Sequence, residues 1–204
     1  MGPRHWYLKG EGKTCMPKGK QHFDDLIAYW RAMPKEGGLV PPKTAFSPMK
    51  VYKVLPSLFF SERLEKYNIR LRLMGEALEI ASRSSLPGRN AFDTISRVNW
   101  DRVEAYYDAL TTQPCGGHMA RSMSLENGLV YDVESIVMPL NDSQGKPRFF
   151  IGLADLQHNR DKSVLAQQGD YDTDSCFVLG YFDLGYGVPK AQEDQLVKQV
   201  NKNG

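Results

Sequence analysis

Between Ser57 and Asp155, two strand-like segments precede a helical connection and three more follow it. This split of a pair from a triplet is what most limits the fold. The pair runs over Ser57 to Leu64 and Tyr67 to Met74, across a turn at Glu65-Lys66. In its second member Ile69, Leu71 and Leu73 alternate with Asn68, Arg70 and Arg72, the period of two of a sheet with one charged face. Gly75 ends that strand, Glu76 to Ala81 favours helix, and Ser82 to Asn90 is a loop turning at Pro87-Gly88. Trp100, Val103, Tyr107 and Leu110 form the stripe of a further helix, with Asn99 as its cap and Asp101 in its first turn. Pro114 and Gly116-Gly117 close it. The triplet spans His118 to Leu125, Leu129 to Leu140 and Arg148 to Leu156, turning at Glu126-Asn127-Gly128 and at Asn141 to Lys146.

The flanks read differently. Arg4, Lys9, Lys13, Lys18 and Lys20 against Glu11, among Gly and Pro and without an apolar run, make residues 1–21 a flexible basic arm rather than a signal peptide or a span. Phe23, Leu26, Ile27 and Trp30 recur at i, i+3, i+4 and i+7, which predicts a leading helix from His22 to Ala32. A Pro/Gly linker follows to residue 48, then a short helical turn before Pro56. The core domain is expected over 49–156 and an extension over 157–204. In the extension, Cys176 to Leu184 can add an edge strand and Lys190 to Val200 a tail helix. With 204 residues, 41% of them hydrophobic, the chain can bury one real core; a net charge of +2 offers no global field for nucleic acid or an anionic membrane. Cys15, Cys115 and Cys176 are odd in number and lack ligand spacing, which fits a reducing cytoplasm.

The order β-β-α-α-α-β-β-β, with particular residues along it, resembles a PAS domain, and more closely the short bacterial PAS proteins with no attached kinase or cyclase. The residues are Tyr29-Trp30, Pro41-Pro42-Lys43 before Phe46-Ser47-Pro48, Leu55-Pro56-Ser57-Leu58-Phe59-Phe60, Arg72-Leu73-Met74-Gly75 and Leu86-Pro87-Gly88-Arg89, between about Phe23 and Asp155. Lys43, Ser47 and Glu76 depart from the family pattern. The resemblance implies an α+β fold: a five-stranded antiparallel sheet with helices over one face, plus the leading helix and C-terminal extension. It also implies a pocket and a regulatory role.

The pocket is expected to be lined by Leu71, Leu73, Ile80, Phe92, Trp100, Met123, Val137 and Ile151, with Arg72, Arg89 and His118 at its rim. The same apolar residues equally suit a filled core. No cofactor is identifiable: haem needs an axial His or Met, and His118 is the one core histidine, while the photoactive relatives use a Cys on the helical connection, which Ser82 to Asp93 lacks. Asp170, Asp172 and Asp174 mimic the start of a calcium loop, but Ser175 stands at its glycine and Tyr181 at its final Glu, so no metal is expected. Asp132 with Glu134, and His158 with Asp155 and Asp161, are acid–base groupings without a catalytic motif, so no catalytic residue is assigned. Phe23, Leu26, Ile27 and Trp30 either pack on their own sheet or pair with a second copy or a partner. The expected function is a cytoplasmic sensor or adaptor acting in trans on a signalling protein. Alternatives are a ligand-free interaction module and a small-metabolite enzyme built around Arg72, Glu76, Arg89 and His118.

Overall fold

The computed structural model describes residues 19–35, 37–82, 87–124, 129–161 and 176–189. The alternating segments form an antiparallel hairpin of β1 (Leu58–Glu65) and β2 (Asn68–Met74), with Ile69 opposite Arg63 and Leu71 opposite Ser61. Tyr67 takes the left-handed conformation in the turn (φ 58°). Asn90 holds it there: its side-chain amide donates to the Tyr67 carbonyl at 2.8 Å, and its oxygen accepts the Ile69 N–H at 3.0 Å. After the helical connection come β3 (Gly116–Ser124), β4 (Leu129–Asn141) and β5 (Pro147–Asp161), then β6 (Cys176–Phe182). The sheet order is β2-β1-β5-β4-β3-β6, antiparallel throughout. The five expected strands are present, and the aromatic segment of the C-terminal extension supplies a sixth on the β3 edge.

The helices are α1 (Gln21–Ala32), α2 (Glu76–Ser82) and α3 (Trp100–Thr112). α2 and α3 lie over one face, as anticipated, while α1 takes the opposite one. Strand parity sorts the side chains accordingly. Ile136, Met138, Phe149, Ile151 and Leu153 pack with α1, whereas Val137, Phe150 and Met119 pack with α3.

The α1 stripe is consumed within the molecule. Phe23, Leu26 and Trp30 are fully buried and Ile27 nearly so, each contributing about 1.5–3 kcal/mol relative to an exposed side chain. These four residues therefore do not form a dimer or partner face. The Trp30 indole N–H also donates to the Pro139 carbonyl at 2.8 Å, near the end of β4. The bond satisfies the Pro139 carbonyl, at a residue that gives the ladder no N–H of its own.

Asn99 does not cap α3 through its side chain, because a 3-10 turn over Arg97–Asn99 runs directly into the helix. Asn90 instead caps the earlier 3-10 turn over Ala91–Thr94, accepting the Phe92 N–H at 3.2 Å. Gly116 and Gly117 open β3 rather than merely close α3. A Cβ at Gly116 would overlap the Phe182 ring on the α1 side, and one at Gly117 the Tyr106 ring on the α3 side. The basic arm through residue 18, the Asp170–Asp174 segment and the tail helix lie outside the described residues. Among the described residues, no helix is long and apolar enough to cross a membrane.

Candidate functional site

The space between α3 and the sheet is filled by aromatic side chains set among aliphatic and sulfur-bearing ones. Phe92 is fully buried and its ring centroid stands 5.4 Å from Trp100, which in turn lies 5.5 Å from Tyr67. The Trp100 indole N–H is tied to the Ile95 carbonyl at 3.0 Å. Deeper in, Tyr107 meets Phe150 edge-on at 4.9 Å, and Tyr106 stacks on Tyr181 of β6 at 6.0 Å. Cys115, Met119 and Cys176 complete the wall, both cysteines being free and buried.

Two hydroxyl groups stand in this apolar setting without a partner among the described residues: Ser61 Oγ, on a residue with no exposed surface, and Tyr106 OH, on a residue 1% exposed. Ser61 sits on β1 opposite Phe150 and so points to the α3 side. Leaving such a group unpaired costs about 1–3 kcal/mol. Burial pushes the Tyr106 phenol well above its ordinary range, and Tyr107 and Cys115 each up to about 12. These groups are therefore neutral at physiological pH, and a buried phenol offers a donor.

α3 is fastened to the β1–β2 hairpin through Glu104, Asp101 and Asp108, of which Glu104 is the buried one. Glu104, 6% exposed, pairs with Arg63 through one oxygen and accepts the Tyr67 N–H at 2.9 Å through the other. The helical wall is thus anchored at the turn that carries Tyr67.

The expected lining residues separate on inspection. Phe92, Trp100 and Val137 meet on the α3 side, and Leu71 is buried on the same side opposite Ser61. Ile151 belongs to the α1 core, because it alternates with Phe150. Leu73 also leaves the pocket side: the hairpin register slips between Phe60 and Ser61, so Leu73 opposes Phe60 and is 37% exposed. Ile80, on α2, is 68% exposed. The Met123 side chain lies outside the described residues; its backbone pairs with Tyr131. Sequence reasoning missed Ser61 and Tyr106, whose signal is a small hydroxyl and a phenol at positions that parity assigns to the interior.

The rim residues disperse as well. Arg89 is exposed beside β2, where its carbonyl accepts the Leu71 N–H at 3.0 Å. Arg72 turns to Glu62 on the α1 side, because Glu62 opposes Phe149 there. His118, 5% exposed, is no rim group: it faces α1, with its ring centroid 6.5 Å from Phe23. It is therefore not placed to ligate a group held on the α3 side. With Glu76 exposed too, the four residues of the enzyme reading share no site. Among the described residues no three His, Cys, Asp or Glu are placed to hold a metal ion.

His118 belongs instead to a polar clasp under the start of α1. Its Nε2 lies 2.8 Å from Glu134, whose other oxygen is 2.7 Å from Lys20 Nζ, and Lys20 also pairs with Asp155. Lys20 immediately precedes α1, so the clasp ties the helix entrance to β3, β4 and β5. The hydrogen bond from His118, aided by Lys20 against the opposing effect of burial, holds the Glu134 carboxyl down at about 2. Because that folded value lies below the ordinary 4.5, the stabilisation is fully present above 4.5 and disappears as pH falls through about 2. Urea midpoints measured from pH 6 down to 2.5 should fall by an amount worth about 2 kcal/mol, and Glu134→Gln should flatten most of that dependence.

A separate crevice of about 350 Å³ lies on the α1 side, lined by Asp25 and by the turn over residues 50–54.

Comparison with known proteins agrees with this architecture. The family model described as PAS domain matches residues 20–155. No curated protein matches the sequence. Among solved structures, the chain is similar to a Light-Oxygen-Voltage domain at 10% identity, covering 59% of this chain and 90% of that one with a TM-score of 0.44. It is similar to a LOV domain of a blue-light activated histidine kinase from Erythrobacter litoralis at 19% identity, covering 50% and 96%, TM-score 0.41. For the VqmA dimer of Vibrio cholerae the identity is 14% and the coverage 53% of this chain but 49% of that one, TM-score 0.42.

Proposed function

Because the chain belongs to the PAS domain family, we propose that it is a cytoplasmic sensor or adaptor, not an enzyme, that takes a small molecule between α3 and the sheet. It passes its state to a separate signalling protein. The observation that carries this reading is that two hydroxyls, Ser61 Oγ on β1 and Tyr106 OH beside Gly117 of β3, are each without a partner among the described residues in a largely apolar interior. A neutral, largely apolar or aromatic molecule with a hydrogen-bonding atom would pair with either of them. Signalling then requires that the molecule bind one arrangement of α3 better than another.

Native mass spectrometry of freshly purified protein, set against the denatured mass, tests the reading. An extra mass lost on denaturation is the expected result, and Tyr106→Phe or Ser61→Ala should lower its occupancy while leaving the fold intact. A bare polypeptide, together with both variants at least as stable as the parent, overturns ligand binding in favour of a ligand-free interaction module.

A further inference from the structure

On the α1 side of the sheet, away from the aromatic interior, four cations gather around one buried carboxylate. Glu62 is 7% exposed in the middle of the edge hairpin. The Arg72 guanidinium binds one of its oxygens through both Nε, at 2.7 Å, and Nη2, and Arg148 Nη2 reaches the other at 2.9 Å. Arg70 stands directly across the strand pair from Glu62. Phe149 stands across on the other flank, with Lys43 Nζ 4.2 Å from its ring centre. Among the described residues Arg70 has no carboxylate partner. Asp142, in the adjoining β4–β5 turn, accepts the N–H groups of Gln144 and Lys146.

Two carboxylates, Glu62 and the Asp142 near Arg148, stand against these four cations and do not balance them. Glu62 orients two guanidinium groups and leaves them 42% and 45% exposed, with donors that it does not use. Such prearranged forks match a carboxylate in geometry as well as in charge. The surface beside them is apolar: Leu73 is 37% exposed next to Arg72, and the half-buried rings of Phe46 and Phe60 stack at 5.9 Å. Arginine flanked by aromatic and aliphatic groups is the composition of a protein interface, whereas a phosphate backbone has no use for the Leu73 side chain.

We propose that the surface of Arg70, Arg72, Arg148 and Lys43 docks a segment of a partner protein that carries both carboxylates and aliphatic side chains. The site is independent of the interior between α3 and the sheet and stands whether or not that interior holds a ligand.

Fluorescence anisotropy of the full chain with a labelled Glu/Leu peptide, its Gln/Leu counterpart and a single-stranded oligonucleotide tests the proposal. The acidic peptide should bind saturably, weaken with added salt and outcompete both other probes. The double substitution Arg70→Gln with Lys43→Gln leaves the Glu62 ion pairs in place, so it should fold. It should weaken peptide binding about fivefold or more. Arg148→Gln should add to that loss. Failure of the acidic peptide to bind, binding unchanged in the double variant, or tighter binding of the oligonucleotide overturns the proposal.

Discussion

Replacing Trp30 with alanine is expected to destabilise the fold by about 3–5 kcal/mol, seen as a lower urea midpoint with little change in slope. Two losses combine. The indole is fully buried in the core that α1 shares with β4 and β5, and no described neighbour is placed to fill so large a space. The Pro139 carbonyl also loses its 2.8 Å hydrogen bond. Trp30→Phe separates them, because it keeps most of the apolar volume and deletes only the donor; it should cost about 1–3 kcal/mol. Equal effects of the two substitutions would show that the hydrogen bond, not packing, dominates. An effect of Trp30→Ala below about 1 kcal/mol would mean that α1 does not rest on the sheet in solution.

Glu104→Ala is expected to cost about 3–5 kcal/mol, for a different reason. Glu104 fills no cavity of note. Its removal strands the partly buried Arg63 guanidinium and the Tyr67 N–H in a turn already held at positive φ. Arg63 retains an exposed pairing with Asp108 at 3.2 Å, which screens part of the loss. The double variant Glu104→Leu with Arg63→Leu removes the stranded charge and should recover some of the stability. A simple sum of the single costs in this cycle would show that the two side chains do not act together. Hydrogen exchange at Tyr67 reports the same event locally, and its protection should drop in Glu104→Ala before global unfolding.

The alternation of Ile69 and Leu71 with Asn68 and Arg70 was enough to place β2, and the i, i+3, i+4, i+7 stripe was enough to place α1. Which face each side chain takes was harder to read, and the reasons are physical. Phe149-Phe150-Ile151 is apolar throughout because β5 is buried on both faces, so the run carries no parity, and Ile151 was expected on the wrong side. Leu73 kept its parity with Leu71 only on paper, since the irregularity beside Arg72 moves it to the other face. The destination of the α1 stripe is a tertiary fact: an amphipathic helix states that it needs a cover, not which one. His118 looked like a rim group because glycines precede it, yet its strand partner Ile136 places it in the α1 core. Ser61 and Tyr106 carry no motif, and only the absence of a partner in three dimensions distinguishes them.

The adjacent glycines that open β3 leave the sheet without side chains on either face at that point. Phe182 fills the space at Gly116 and Tyr106 the space at Gly117, so the two cores are parted there by main chain alone. Here there is nothing to rotate. A shift of the Tyr106 ring bears on the Gly117 backbone, and the neighbouring peptide carries it to Phe182 and the packing beneath α1. The sheet, a partition along most of its length, thins to a diaphragm here.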